Sequence, residues 1–319
     1  MILLAGIRTE EPLQRVAEEL ERRGSPFHLF HQRDFGRTTL DVEVGPRGVR
    51  GVLRGPTGTV PLERIGSAYL RLMDDRSLPE LEHEPQHSPR RAQCRALHEA
   101  LLRWSEITPA CMVNRLSAMG SNFSKPYQAQ AIVGVGFSTP PTLVTNDPDA
   151  VGEFRRRHGR VIYKSISGVR SIVRELEDSD LARLDRIRWC PTQFQAYVEG
   201  RDVRVHTVGD AVFATAITTT GTDYRYAARE DGGSTRLEPL ELPTALARRC
   251  VALSGRLGLD FAGIDLKLAP DGEVFCFEVN PCPAYTYYEA NTGQPIARAL
   301  AGYLDAASRA AATRWPATA

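Results

Sequence analysis

Asp265, Glu278 and Asn280 lie in GIDLKLAPDGEVFCFEVNP (263–281), where oxygen-bearing side chains interrupt an apolar run. Asp271–Gly272 within it is a strong two-residue hairpin signal. A turn centred there pairs Asp265 with Glu278, Gly263 with Asn280 and Lys267 with Cys276. Period-2 alternation then puts Asp265, Lys267, Cys276, Glu278 and Asn280 on one face. The other face is Ile264, Leu266, Leu268, Phe275, Phe277 and Val279, wholly apolar. Carboxylates directly opposite have Cβ atoms about 5 Å apart and repel unless something offsets them. Lys267, a shared proton or a divalent cation would do so. Asp, Glu and Asn are hard oxygen ligands of the kind Mg²⁺ prefers, with positions left for phosphate oxygens. A solvated polar face of an amphipathic hairpin accounts for the same pattern. The pairing also assumes an even-length turn.

The elements around this hairpin are of mixed type. Residues 2–6 form an apolar strand. A helix follows, with Thr9 as its cap, Pro12 in its first turn and Leu13, Val16, Ala17 and Leu20 as its apolar stripe. Gly24 ends it and PFHLF (26–30) is the next strand, so the chain opens as β-α-β. DVEV (41–44) and GVRGVLRG (48–55) read as a hairpin and SAYLRLM (67–73) as a strand. Residues 74–91, polar and with three prolines, read as an exposed loop, with a mobile lid or a peptide-docking surface as the functional alternative. Residues 92–106 are helical, and a further helix falls near 124–134. Asn146-Asp147-Pro148 starts another. Residues 160–173 read strand, loop, strand, and 192–219 are strand-rich. An amphipathic helix covers 242–258, and a last helix runs from about 294 to 308. The fold class is α/β (α+β).

A chain of 319 residues with net charge +1 is long enough for two or three structural units and carries no bulk charge for nucleic acid or membrane surfaces. No stretch approaches the apolar length of a membrane span, and the start lacks the basic region of a signal peptide. Six cysteines without a CxxC pair, and with no histidine near Cys276 or Cys282, read as free thiols of a cytoplasmic protein. His206 reads as structural, and RRRHGR (155–160) as a basic helix end beside its own carbonyls.

The hairpin segment resembles the metal-binding hairpin of ATP-grasp carboxylate–amine ligases, with RimK-type glutamate ligases, glutathione synthetases and the peptide-cyclising graspetide ligases as the nearest patterns. The resemblance covers roughly residues 113–308 and rests on the order of several motifs. It implies an N-terminal pre-ATP-grasp domain (1–112), a central subdomain with a phosphate flap (113–191) and a C-terminal subdomain with the hairpin (192–319). It implies ATP and Mg²⁺, with Mn²⁺ as an alternative ion, held by Asp265, Glu278 and Asn280.

Residue by residue, Lys125 resembles the first ATP lysine, following Asn114-Arg115, and Lys164 the second. SISGVRS (165–171) is similar to the flap. Gln195, Ala196 and Tyr197 stand at the adenine hinge. Asp202 and Arg204 match an Asp-x-Arg with the aspartate near the ribose, and Arg225 matches the arginine at the terminal phosphate. Lys164, Arg204 and Arg225 are thereby the catalytic candidates. Three positions depart from the pattern: Ala196 where many members carry Glu, Ala227 where RimK-type members carry Asn, and Ser165 where Pro is usual.

The implied reaction activates a carboxylate as acyl phosphate and couples it to an amine, with small molecules or peptides as partners. PAYTYYEANTGQP (283–295) is similar to the stretch after EVNP in graspetide ligases and pulls towards a peptide. Its Tyr285, Tyr287 and Tyr288 line a substrate pocket or pack under the last helix. A macrocyclase and a non-catalytic nucleotide-binding regulator are the alternatives, and a homodimer or homotetramer is open at this point.

Overall fold

The computed structural model describes residues 1–46, 48–165, 173–219 and 235–314. Strands β1 (Ile2–Gly6) and β2 (Phe27–His31) flank helix α1 (Glu11–Arg23). A hairpin of β3 (Thr39–Gly45) and β4 (Gly48–Gly55) follows, with a third strand β5 (Gly58–Pro61) that the sequence reading lacked. Then come β6 (Ser67–Arg71), α2 (Pro89–Ile107) and β7 (Cys111–Val113). Among the described residues β2, β1, β6 and β7 form a parallel sheet in that order, and β3, β4 and β5 a separate antiparallel one. Leu13, Val16, Ala17 and Leu20 of α1 are all buried, as their helical spacing requires. Gly24 ends the helix in the left-handed region at φ 64°. The cap differs from expectation: Glu10, not Thr9, is the N-cap, and no side chain caps the helix. The Glu10 carboxylate is instead drawn to the Arg71 guanidinium at 2.6 Å.

The segment 74–91 is not a free loop. Two short 3₁₀ turns carry Leu78 and Leu81 into a cluster with Phe35 and Cys94. Asp75, buried, accepts from Arg91 at 2.9 Å and Arg95 at 2.8 Å. The apolar spacing was too short to read as an element, so the anchoring came from distant arginines.

Helix α3 (Lys125–Gly134), strand β8 (Thr142–Thr145) and helix α4 (Pro148–His158) lead into β9 (Val161–Ser165), β10 (Arg174–Glu175) and β11 (Thr192–Ala196). The described strands form an antiparallel sheet in the order β10-β9-β11-β8. Asp147 starts α4 by accepting from the Asp149 N–H at 3.0 Å. Strands β12 (Arg201–Val208), β13 (Ala211–Thr219) and β14 (Thr235–Leu240) come next, then α5 (Thr244–Arg256), β15 (Phe261–Leu268) and β16 (Val274–Asn280). These strands form an antiparallel sheet in the order β14-β13-β12-β15-β16 among the described residues. Its inner face packs on α5 through Val203, Val205, Ile264, Leu266, Cys276 and Val279.

The β15–β16 hairpin corrects the expected register in an instructive way. The turn is a three-residue loop, Pro270–Gly272, closed by Ala269 N–H to Glu273 O at 2.9 Å, with Gly272 at φ 88°. That odd length slips the pairing by one, so Lys267 faces Phe275 and Leu266 faces Cys276. A β-bulge between Asp265 and Leu266 then absorbs the slip. Beyond it Asp265 faces Glu278 and Gly263 faces Asn280, as read from the sequence. Cys276 therefore belongs to the apolar face, fully buried, while Phe275 and Phe277 are only half-buried.

After β16 come a short unforeseen helix α6 (Thr286–Thr292) and α7 (Ile296–Arg314). Helix α7 returns to the first sheet, its Ile296, Ala297, Leu300, Ala301 and Leu304 buried with Ile2, Leu4 and Leu13. Among the described residues no helix is long and apolar enough to cross a membrane.

Candidate active site

The outer face of the five-stranded sheet collects the predicted residues in rows. Register pairs Arg204 with Asp265, and Asp265 with Glu278. Arg204 donates to Asp265 at 2.7 Å from a guanidinium only 7% exposed. On the far side Lys125 donates to Glu278 at 2.8 Å. The row thus reads cation, carboxylate, carboxylate, cation. The like charges that face each other across the strands are offset by Arg204 and Lys125 at their ends. Lys267, one of the three offsets considered, instead pairs with Asp202 at 3.2 Å, one row along.

Lys125 reaches the row because α3 is fastened to the edge of β16. Gln128, one turn on and on the same helix face, donates to Val279 O at 2.7 Å and accepts from Val279 N–H at 3.2 Å. It acts as a surrogate strand partner beside Glu278 and Asn280. Asn114 rivets both ends of the hairpin. Its amide donates to Phe261 O and Pro281 O, each at 2.6 Å, and its oxygen accepts from Asp260 and Phe261 N–H at 2.9 and 3.1 Å. Arg115 is turned away and donates to the carbonyls that end α2, including Thr108 O at 2.9 Å.

Gly263 is required at its place. A Cβ there would overlap the Arg204 guanidinium and press on Pro283. The guanidinium also lies 5.7 Å from the Tyr288 ring centre. His206, opposite Gly263, is fully buried against Tyr288 at 4.9 Å. Among the described residues neither of its ring nitrogens has a hydrogen-bond partner. Burial first, and the Arg204 charge second, hold this imidazole well below its ordinary pKa, so it is neutral.

Asn280 accepts from the Cys282 N–H at 2.9 Å, which turns the chain after the hairpin. Arg71 donates to Cys282 Sγ at 3.0 Å and to Tyr69 OH at 3.2 Å while paired with Glu10. Burial nonetheless raises the Cys282 thiol pKa, so no thiolate forms there near neutrality. Of the three tyrosines, Tyr285 is core: it is fully buried with Phe261 and α7, and donates to Pro12 O at 2.7 Å. Tyr288 covers Arg204 and His206, and Tyr287 is exposed.

On the antiparallel sheet of β8–β11, Gln193 faces Lys164 in register, and Gln195 lies on the same strand face. Gln195 donates to Thr142 Oγ1 at 3.0 Å, while its buried Oε1 has no hydrogen-bond partner among the described residues. The hinge N–H groups are engaged, Ala196 with Pro141 O and Tyr197 with Arg160 O, each at 2.9 Å. Both N–H groups thus already have backbone acceptors. The Tyr197 ring lies between Arg160 at 3.8 Å and Lys267 at 5.5 Å. Arg225, Ala227 and most of SISGVRS lie outside the described residues. Among the described residues no cluster of three His, Cys, Asp or Glu forms. The candidate donor set is two carboxylates and an amide.

A cavity of about 530 Å³ lies elsewhere, lined by Arg33, Asp34, Phe35, Arg37, Glu80 and Arg90. Arg33 is engaged with Glu80 and Arg37 with Asp34.

This geometry has counterparts among known proteins. Residues 170–304 match the family model of the RimK-like ATP-grasp domain, so that stretch of the chain is an ATP-grasp domain of the ligase type. It is similar to a probable alpha-L-glutamate ligase of Sodalis glossinidius, 27% identical over 226 residues, covering 65% of this chain and 72% of that protein. It is also similar to the solved ATP-grasp ligase PsnB complexed with a phosphomimetic variant of minimal precursor, Mg and ADP. There the TM-score is 0.78 with 27% identity, covering 96% of this chain and 98% of the other. The macrocyclase MdnC bound with precursor peptide MdnA, from Microcystis aeruginosa, shares the fold at a TM-score of 0.78 and 20% identity, over 95% and 99% of the chains.

Proposed function

We propose that this protein forms an amide bond from a carboxylate and an amine at the expense of ATP. The carboxylate oxygen takes the γ-phosphoryl group and ADP leaves. The amine then attacks the acyl phosphate, loses a proton and expels phosphate. The carrying observation is the row Arg204–Asp265–Glu278–Lys125 on one face of a hairpin.

The donor set fits Mg²⁺, and equally Mn²⁺: hard oxygens, few in number, with room for phosphate oxygens. Asp265, Glu278 and Asn280 would hold the ion, which when bound supplies charge neutralisation on the phosphates. Lys125 and Lys164 position the triphosphate, and Arg225 meets its terminal group. Gln195 offers its buried oxygen to the adenine amino group, and Asp202 meets the ribose. Arg204 acts by fixing Asp265 in place. No side-chain nucleophile is needed, because phosphorylation itself activates the carboxylate. We read the chain as three domains, 1–112, 113–191 and 192–319, working in the cytoplasm, where ATP is supplied.

A peptide substrate, cyclised through its own side chains, is the second reading. Similarity to PsnB along 96% of the chain favours it, as that ligase was solved with a minimal precursor. ADP production, screened over amino acids and short acidic peptides, tests the proposal. Asp265→Ala is expected to lower kcat about 10²–10³-fold, the usual cost of losing a positioned charge-stabilising group. Undiminished turnover in that variant would sink the metal assignment. Tight ATP binding with no turnover on any substrate would make the protein a nucleotide-binding regulator instead.

A further inference from the structure

The two ends of the charged row differ. Arg204 is 7% exposed, tied to Asp265, covered by Tyr288 and seated where Gly263 lacks a Cβ. Lys125 and Glu278 are 26% and 25% exposed. A second oxygen, Asn122 Oδ1, lies 3.4 Å from the Lys125 ammonium. The backbone beneath Lys125 is fixed by the Gln128–Val279 bonds, so any movement there belongs to the flexible lysine stem.

Resting on the ATP-grasp reading above, we propose that Lys125 is a placeholder for the divalent cation. It neutralises Glu278 in the nucleotide-free protein and gives up that carboxylate when a metal–triphosphate pair offers its ammonium a phosphate instead. A cation arriving alone must displace the ammonium from Glu278 with only the neutral Asn122 oxygen beside it to receive it. A triphosphate arriving alone draws the lysine off and leaves Asp265 and Glu278 facing each other, less balanced. Metal and nucleotide therefore bind cooperatively, each tightening the other by the same factor, within a range of about 5- to 150-fold. The exchange makes charge balance at the hairpin a condition for loading the site and keeps free cations off it.

Mn²⁺ binding, followed by the loss of free-ion signal in electron paramagnetic resonance, tests this in wild-type, Lys125→Gln and Lys125→Arg proteins, with and without ADP. Wild type should bind Mn²⁺ weakly alone and more tightly with ADP. Lys125→Gln should bind Mn²⁺ alone about tenfold more tightly than wild type, a gain from removing an ion-pair partner. Its further gain with ADP should shrink. Lys125→Arg, which keeps the charge, should behave as wild type. Thermal melting of both variants checks that each is folded. Equal or weaker Mn²⁺ binding in folded Lys125→Gln, with ADP-dependent binding intact in wild type, overturns the placeholder alone. Absence of ADP-dependent Mn²⁺ binding in wild type overturns both the placeholder and the metal reading beneath it.

Discussion

The first sheet and the five-stranded sheet both bring charge close to a core, but they settle it differently. Around the parallel sheet two charged clusters are closed off. Asp75 takes two guanidinia, with its side chain and that of Arg91 each 8% exposed, and Arg71 takes Glu10, Tyr69 and Cys282. On the five-stranded sheet the acidic pair faces itself, closed firmly at one end and loosely at the other. A saturated buried pair holds parts together; a quarter-exposed lysine–glutamate pair can exchange partners. Ion pairs in one chain thus have different meanings, set by what surrounds them.

Breaking the closed kind should cost stability. Asp75→Ala removes the carboxylate from two arginines, one of them buried, and is expected to lower stability by about 3–5 kcal/mol in chemical denaturation. Nucleotide affinity of the folded fraction should stay unchanged. A smaller effect is expected at the boundary between the two kinds. Gly263→Ala forces the Arg204 guanidinium off its seat, at about 1–3 kcal/mol in stability. Unlike Asp75→Ala, it should also lower kcat, because Asp265 loses its support.

The smallest effect concerns His206. Its pKa is depressed by burial, so the unfolded chain takes up a proton more readily than the folded one. The stability it contributes is present above the ordinary histidine pKa of about 6.5 and is lost as pH falls below that value. His206→Phe should make stability flatter below pH about 6.5, by as much as roughly 1.4 kcal/mol per pH unit. His28 and His98, also depressed by burial, keep the rest of the slope.

Much of this was legible in the residues, with one compensation. Asp265–Glu278 pairing came from an assumed two-residue turn that the chain does not make; the bulge restored the register. Alternation on β16 broke at the bulge, which is why Cys276 and Phe275 exchanged faces. Lys125 was legible as a cation near the site, but its partner lies 153 residues away in sequence, beyond any local pattern. The amides of Asn114 and Gln128 were the largest omission. Each bonds backbone, so no complementary side-chain type marks it; an amide ahead of the predicted site helix and another in its first turn were the available signals. The pinned 74–91 segment escaped for a like reason, since the Asp75 partners lie 16 and 20 residues on, Arg91 at the end of the segment and Arg95 on a helix read as separate.

The central claim is that the hairpin carboxylates make nucleotide binding depend on a divalent cation. Calorimetric titration of ADP, with Mg²⁺ and with chelator, into wild-type and Glu278→Gln proteins tests it most directly. Wild type should bind ADP more tightly with Mg²⁺ by at least about fivefold, and Glu278→Gln should lose most of that difference. An undiminished Mg²⁺ dependence in folded Glu278→Gln would contradict the account.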